Sequence, residues 1–300
     1  MIIKDFSSLR EMALSKRGGR IVIAGGHDSE ALKAANMAVS EGVAEVILVA
    51  DRNKLLSTAK ENNVDVSKFE VLYASDEREM AEKAVKLVKE GRAHAIMKGF
   101  VKTAIFLKAI LNKEWGIKRS KLLSHVAIFE IPNYPKLIFL TDGGMVPYPT
   151  LDEKIQILQN ALWITSRLGY EKPKVAVLAA IETVSPKMQA TIDAAALTVM
   201  SWRKQINAIV DGPLALDNVL SRTAAQHKGI ESPVIEDTDI FLVPDIEAGN
   251  LLGKSFTYAA KGKMAGIVVG ATVPVIVPSR ADTYESKYFS LLAGIAMKEG

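Results

Sequence analysis

VPVIVPSRADTYESK, residues 273–287, changes character halfway along. Val273 to Val277 is β-branched except at Pro274, the composition of a buried strand, and Pro278 closes it. Asp282 followed three residues later by Glu285 predicts a capped helix start, and Tyr288, Leu291, Leu292 and Ile295 continue at helical spacing. Ser279 and Arg280 therefore fall in a strand-to-helix turn, where backbone N–H groups and the positive helix end collect. A hydroxyl and a fork-shaped guanidinium at such a turn either serve the helix start alone or grip an oxyanion.

The same strand-then-helix alternation runs through the chain and predicts an α/β fold with largely parallel sheets. Strand character recurs at Arg20–Ala24, Glu45–Val49, Ala93–Met97, Lys136–Thr141, Lys174–Ala180, Ala208–Asp211, Ile240–Pro244 and Gly266–Gly270. Between them, Glu77–Glu90 places Met80, Ala84, Leu87 and Val88 on one face and stops at Gly91. Thr150 with Glu153 makes a capping box for a helix presenting Ile155, Leu158, Leu162 and Thr165, and Ser185-Pro186 reads as another helix start. LLSHVAIFEI (122–131) and KLIFLTD (136–142), joined through Pro132 to Pro135, form a hairpin-like pair in an otherwise parallel pattern.

Three hundred residues at 49% hydrophobic and 24% charged content suit two domains of about 150 residues each. The formal charge of +4, from 38 basic and 34 acidic side chains, is scattered, which favours a small anionic ligand over nucleic acid. No cysteine is present, so no enzyme thiol is available to carry an acyl group. The first residues lack a secretion-signal pattern and no apolar run approaches the length of about 18 to 20 needed to span a bilayer, so a cytoplasmic protein without membrane partners is expected.

Polar residues beside glycine stand at four strand ends: Lys98-Gly99, Asp142-Gly143-Gly144, Asp211-Gly212-Pro213, and Asp245 with Glu247 to Asn250. Parallel sheets bind ligands at their carboxyl ends, and repetition favours a shared site over isolated turns. The histidines His27, His94, His125 and His227 show no metal-ligand spacing, and Glu236–Asp239 reads as a solvated acidic turn. Neither GxGxxG after the first strand nor GxxxxGK[ST] occurs.

Longer phrases carry more. MKGFVKTAIFLKAIL (97–111), TDGGMVPYPTLDEKIQIL (141–158), VDGPLALDNVLS (210–221), and the stretch from VPDIEAGN (243–250) through VPSRADT (277–283) resemble the phosphate acetyltransferase and phosphate butyryltransferase family, more closely its butyryl branch. The resemblance is dense over residues 94–290. It implies exchange of an acyl group, butyryl or a similar short chain, between coenzyme A and inorganic phosphate, with no metal or other cofactor. It also implies a two-domain fold similar to the isocitrate and isopropylmalate dehydrogenases, with a cleft between residues 1–128 plus 270–300 and residues 129–269. By the same resemblance Arg280 holds phosphate and Ser279 stabilises the reacting thioester.

The family's acetyltransferases carry a proposed base seven residues beyond that serine, where this chain has Ser286, which leaves Asp282 or Glu285 as substitutes. Their Ala-Asp-Cys phrase is Thr141-Asp142-Gly143 here, making Asp142 a further catalytic candidate. With no cysteine, direct transfer in a ternary complex is expected, and Ser279 with turn N–H groups would meet the oxyanion. Lys98, Gly99 and Asp211 are candidate substrate contacts, and Asn250 and Lys254 candidate nucleotide contacts. Acyl length depends on which of Phe100, Met145, Val146, Leu214, Leu216 and Phe256 line the site. Acetyl-CoA is the alternative substrate; a metal-dependent decarboxylating or hydroxythreonine-phosphate-type dehydrogenase and a non-catalytic CoA or phosphate sensor are the alternative classes. A symmetric homo-oligomer is expected for an α/β enzyme of this size.

Overall fold

The computed structural model describes residues 3–279 and 281–298, so Arg280 lies outside the described residues. In chain order the elements are α1 (Phe6–Ser15), β1 (Arg20–Ala24), α2 (Ser29–Ser40), β2 (Glu45–Ala50), α3 (Arg52–Glu61), β3 (Glu70–Tyr73), α4 (Glu77–Lys89), β4 (Ala95–Lys98) and α5 (Thr103–Ile110). There follow β5 (Ser124–Glu130), β6 (Ile138–Thr141), α6 (Leu151–Arg167), β7 (Lys174–Leu178), α7 (Gln189–Trp202), β8 (Ile209–Leu214), α8 (Leu216–Leu220) and α9 (Arg222–His227). The last are β9 (Ile240–Leu242), α10 (Ile246–Lys254), β10 (Lys263–Val269), β11 (Val275–Ile276) and α11 (Tyr284–Ala296). This is the mixed α/β, mostly parallel fold expected from the alternation.

The chain passes between two compact units after Lys4, Ser120 and Lys263. Residues from Asp5 to Ser120 and from Met264 onward form one unit, with strand order β3-β2-β1-β4-β11-β10. There β3, β2, β1, β4 and β11 run parallel and β10 turns back antiparallel to β11. Residues Lys121 to Lys263 form the other, ordered β5-β6-β9-β7-β8, with β6, β9, β7 and β8 parallel. The hairpin read from the sequence is β5 with β6, antiparallel with Ile128 opposite Phe139. A boundary at 128/129 falls inside β5 and one at 269/270 directly after β10, whereas these units change over at 120/121 and 263/264.

A repeated device starts the helices. Asp28, Asp51, Asp76 and Asp245 each accept a backbone N–H in the first turn of α2, α3, α4 and α10, immediately after β1, β2, β3 and β9. The strand-to-helix loops at the carboxyl edges are thereby fixed. Thr150 caps α6 through the expected box, Glu153 Oε2 accepting the Thr150 N–H at 2.9 Å.

Several expectations move. The buried face of α6 is Ile157, Leu158, Ala161, Ile164 and Thr165, leaving Ile155 and Leu162 half-buried, because buried Lys154 turns inward to Asp193 at 2.7 Å. Ser185-Pro186 forms a turn that closes with Met188 N–H on Ser185 O, and α7 begins at Gln189. The helix after the Ser-Arg turn is capped by Thr283 rather than Asp282. Asp211 lies inside β8, which runs on through Gly212 and Pro213, so it does not mark a strand end.

Glu236–Asp239 is only partly a solvated turn. Asp239 is buried and takes Lys136 Nζ at 2.7 Å and the Lys174 N–H at 2.7 Å, while Asp237 pairs with Lys136 at 2.6 Å and with Lys174. Hydrogen bonds from Lys136 and Lys174 hold the Asp237 carboxyl below its usual range. In acid the unfolded chain therefore takes up that proton first, so the stabilisation is complete above the unfolded value of about 3.9 and is lost as pH falls through the folded value. Lys174→Met is expected to lower the unfolding free energy from urea titration at pH 7 by no more than about 1 kcal/mol in this half-exposed site. The gap to the parent should narrow at pH 3; a gap equal at both pH values would count against the pair.

Candidate active site

The carboxyl ends of β1, β4 and β11 face the same edge of their unit, and a cavity of about 360 Å³ opens there. Its walls include Asp28 after β1, Lys98, Gly99 and Phe100 at the end of β4, Pro278 and Ser279 after β11, and Lys287 from α11. Glu77 and Lys102, at the starts of α4 and α5, complete the charged lining.

Backbone contact builds the floor. Gly99 N–H donates to Ala24 O and Phe100 N–H to Gly25 O, both at 2.8 Å. A Cβ on Gly99 would sit 2.3 Å from Gly25 O, so the β1 and β4 loops demand this glycine whatever ligand binds. Phe100 projects into solvent and its ring lies 5.2 Å from that of buried His27. Burial, then the Lys54 charge, lowers the His27 pKa, and its Nδ1 has no hydrogen-bond partner.

Both lysines of the inner wall are buried. Lys98 Nζ donates to Gly99 O at 3.2 Å, and Lys287 Nζ donates to Asp28 Oδ1 at 2.8 Å. Lys287 was not singled out in the sequence, although it stands four residues before Leu291 on the apolar stripe of α11, where a lysine is out of place.

Ser279 is exposed, in a turn closed on itself. Its N–H donates to Asp282 Oδ2 at 2.8 Å, its Oγ accepts the Ala281 N–H at 3.3 Å, and its carbonyl accepts the Asp282 N–H at 3.2 Å. Asp282 thus braces the turn that presents the hydroxyl. Ser286 Oγ donates to Met264 O on β10, and Glu285 is exposed.

The other unit gathers different candidates. Asp142, at the end of β6, is buried and its carboxylate accepts four backbone N–H groups: Gly144 and Met145 on Oδ1, His125 and Val146 on Oδ2, at 2.8 to 3.3 Å. Such an acceptor organises a loop. The loop lies against α10, since Asn250 Nδ2 donates to Gly143 O at 3.4 Å and a Cβ on Gly249 would come 2.7 Å from Gly143 Cα. Asn250 and Lys254 are exposed one turn apart on α10, just before a π-helical turn at Ser255–Ala259. Asp211 Oδ1 accepts the N–H of its neighbour Gly212 at 2.9 Å. Of the acyl-pocket candidates, Phe100 lines the first unit's cavity, whereas Phe256 and Leu214 are core residues, Phe256 edge-on to Phe129. Among the described residues no group of three or more His, Asp or Glu side chains is arranged to hold a metal, and no helix is long and apolar enough to cross a membrane.

Fold and cavity together define an α/β protein whose parallel carboxyl edge carries a cavity lined by buried Lys98 and Lys287 and by Ser279. The chain belongs to the phosphate acetyl/butaryl transferase family, whose profile matches residues 6–85 and 77–293. It is 43% identical to the phosphate butyryltransferase of Clostridium acetobutylicum over 291 residues, 97% of each chain. The crystal structure of a branched-chain phosphotransacylase from Enterococcus faecalis superposes with a TM-score of 0.83 at 36% identity, covering 93% of this chain and 98% of that one. At 14% identity and a TM-score of 0.59, a 4-hydroxythreonine-4-phosphate dehydrogenase from Klebsiella pneumoniae shares the fold alone, over 94% of this chain and all of its own.

Proposed function

We propose that the chain exchanges a short acyl group, butyryl or similar, between coenzyme A and inorganic phosphate by direct attack within a ternary complex. The observation that carries this reading is the cavity that brings buried Lys98 and the Ser279 turn to one carboxyl edge, in a chain of this family. Phosphate is assigned to Arg280 and Lys98, the first gripping two oxygens and the second acting as a point charge. Ser279 donates a hydrogen bond, keeping its proton, to the oxyanion that grows as the thioester carbonyl is attacked. Asn250 and Lys254 are assigned to the coenzyme nucleotide and Asp211 to substrate contact. Gly99 shapes the cavity floor. Asp142 enters as a positioning residue, since backbone donors already occupy both its oxygens.

A free thiol with a pKa of about 8.5 is only a few per cent thiolate at neutral pH, so a base would help the reverse reaction. Asp282 is given the bracing role first. Asp282→Ala is expected to slow turnover about tenfold, and Asp282→Asn to recover most of it, because the amide oxygen still accepts the Ser279 N–H. Equal loss in both variants, with a flattened pH–rate profile, would instead make the carboxylate the base.

Membership in the family does not choose between acetyl and longer groups. Acetyl-, propionyl-, butyryl- and isobutyryl-CoA assayed with phosphate for thiol release should rank the acyl groups, one methylene being worth about 1 to 3 kcal/mol. Thiol release from none of them would end the reading, and a stable acylated enzyme formed without phosphate would end direct transfer. A cytoplasmic location and a symmetric homo-oligomer belong to the same proposal, the latter checked by light scattering.

A further inference from the structure

Lys287 sits where burial and the positive helix end oppose it, with the Asp28 carboxylate against it and the Glu30 charge close by. It occupies the fourth position of α11, beside the positive end of the helix, and its side chain is 4% exposed. A buried ammonium needs partners, and a helix start supplies N–H donors rather than acceptors. Asp28 meets one of the three donors that an ammonium carries, at 2.8 Å. Yet that same Oδ1 also accepts the Ala31 N–H at 2.8 Å as the cap of α2, so its negative charge is already shared. If the pair only tied α11 to α2, an apolar residue at 287 would do that work at lower desolvation cost.

The position of the pair gives it another use. Lys287 and Asp28 line the same cavity as Lys98 and Ser279. Three lysines and two carboxylates, Lys98, Lys102 and Lys287 against Asp28 and Glu77, leave the lining one positive charge in excess. Glu77 is engaged by the Lys102 N–H at 2.7 Å, and Asp28 as described, so both carboxylates are held toward the wall.

We infer that Lys287 is a phosphate-binding residue of this cavity, its ammonium bridging Asp28 and an oxygen of the bound phosphate. The inference rests on the acyltransferase reading for the identity of the anion. Asp28 orients the ammonium and the phosphate takes a donor that Asp28 does not use. No proton or bond changes hands at Lys287; its part is charge and position.

The test compares Lys287→Met, Lys287→Arg and Asp28→Asn, with phosphate varied at saturating butyryl-CoA. Lys287→Met is expected to raise the phosphate KM by about 10- to 100-fold with the butyryl-CoA KM changed less than about twofold, and Lys287→Arg to restore most of the loss. Asp28→Asn keeps a good helix cap and an amide oxygen to orient the ammonium while removing the competing charge, so its phosphate KM should change far less than that of Lys287→Met. A Lys287→Met enzyme with a parental phosphate KM overturns the inference, as does a rise in Asp28→Asn as large as that in Lys287→Met, which would make the pair a structural tie. Should Lys287→Met fail to fold, Lys287→Arg and Asp28→Asn decide alone. Equilibrium dialysis of inorganic phosphate against parent and variants reads the site without turnover. Phosphate binding that depends on Lys287 in a protein that releases no thiol would sink the acyltransferase reading and leave this one standing; phosphate binding unaffected at 287 in an active enzyme would do the reverse.

Discussion

Turnover of Ser279→Ala, at saturating acyl-CoA and phosphate, is expected to fall by about 10²- to 10³-fold, the usual cost of one lost oxyanion donor. Stability should not follow. Ser279 is exposed, and among the described residues its hydroxyl accepts the Ala281 N–H at 3.3 Å, while the turn stays braced by the Asp282 bond to the Ser279 N–H. Arg280→Ala is expected to cost a similar factor, felt first in phosphate binding. If both side chains serve the same transfer step, Arg280 on the phosphate and Ser279 on the carbonyl oxygen, the double variant should lose less than the product of the single losses. Unchanged turnover in Ser279→Ala, with urea denaturation also unchanged, would return the pair to an ordinary helix start.

The turn was legible in outline because a β-branched run followed by a helical stripe leaves little choice about where strand becomes helix. Its inner wiring was not. Asp282-x-x-Glu285 and Thr283-x-x-Ser286 are both acceptable caps, one residue apart, and sequence offers no way to rank them. The tie is broken by a contact outside the helix, where the Asp282 carboxylate is taken by the Ser279 N–H and Thr283 accepts from Ser286. The parallel strands were readable for a similar reason, being apolar on both faces. β3 escaped because Glu70–Tyr73 is an edge strand with no buried residue, so its sequence looks like a surface segment.

Charged groups were the harder reading. Asp239 and Lys154 look solvated in sequence, yet they and Lys287 are each buried against a partner far along the chain: Lys136, Asp193 and Asp28. Long-range pairing of that kind leaves a local trace only when, as at Lys287, the charge interrupts an apolar stripe. Asp142 and Gly143 were noticed as a turn dipeptide at a strand end. What the pattern could not convey is that the carboxylate points back into the loop rather than out toward a substrate.

That inward orientation sets the largest expected loss of stability. Asp142→Ala strips acceptors from four backbone N–H groups, those of His125, Gly144, Met145 and Val146, in a site where the carboxylate is 2% exposed. Removing the charged partner of buried donors typically costs about 3 to 5 kcal/mol, and water can recover part of that only if the loop opens. Asp142→Asn separates the structural role from a catalytic one. The amide keeps the shape but turns an NH₂ toward two of the four donors, so it should lose most of what alanine loses. A carboxylate acting as acid or base would leave the Asn variant as stable as the parent and merely slow. Gly249→Ala attacks the same joint from the other side, since its Cβ would meet Gly143 Cα at 2.7 Å and Asp142 O at 3.0 Å, backbone atoms with no room to yield. Urea midpoints should therefore fall in all three variants, and hydrogen exchange should rise first at Gly144 and Met145; a stable Asp142→Asn protein with slow exchange there would mean that the loop does not depend on this carboxylate.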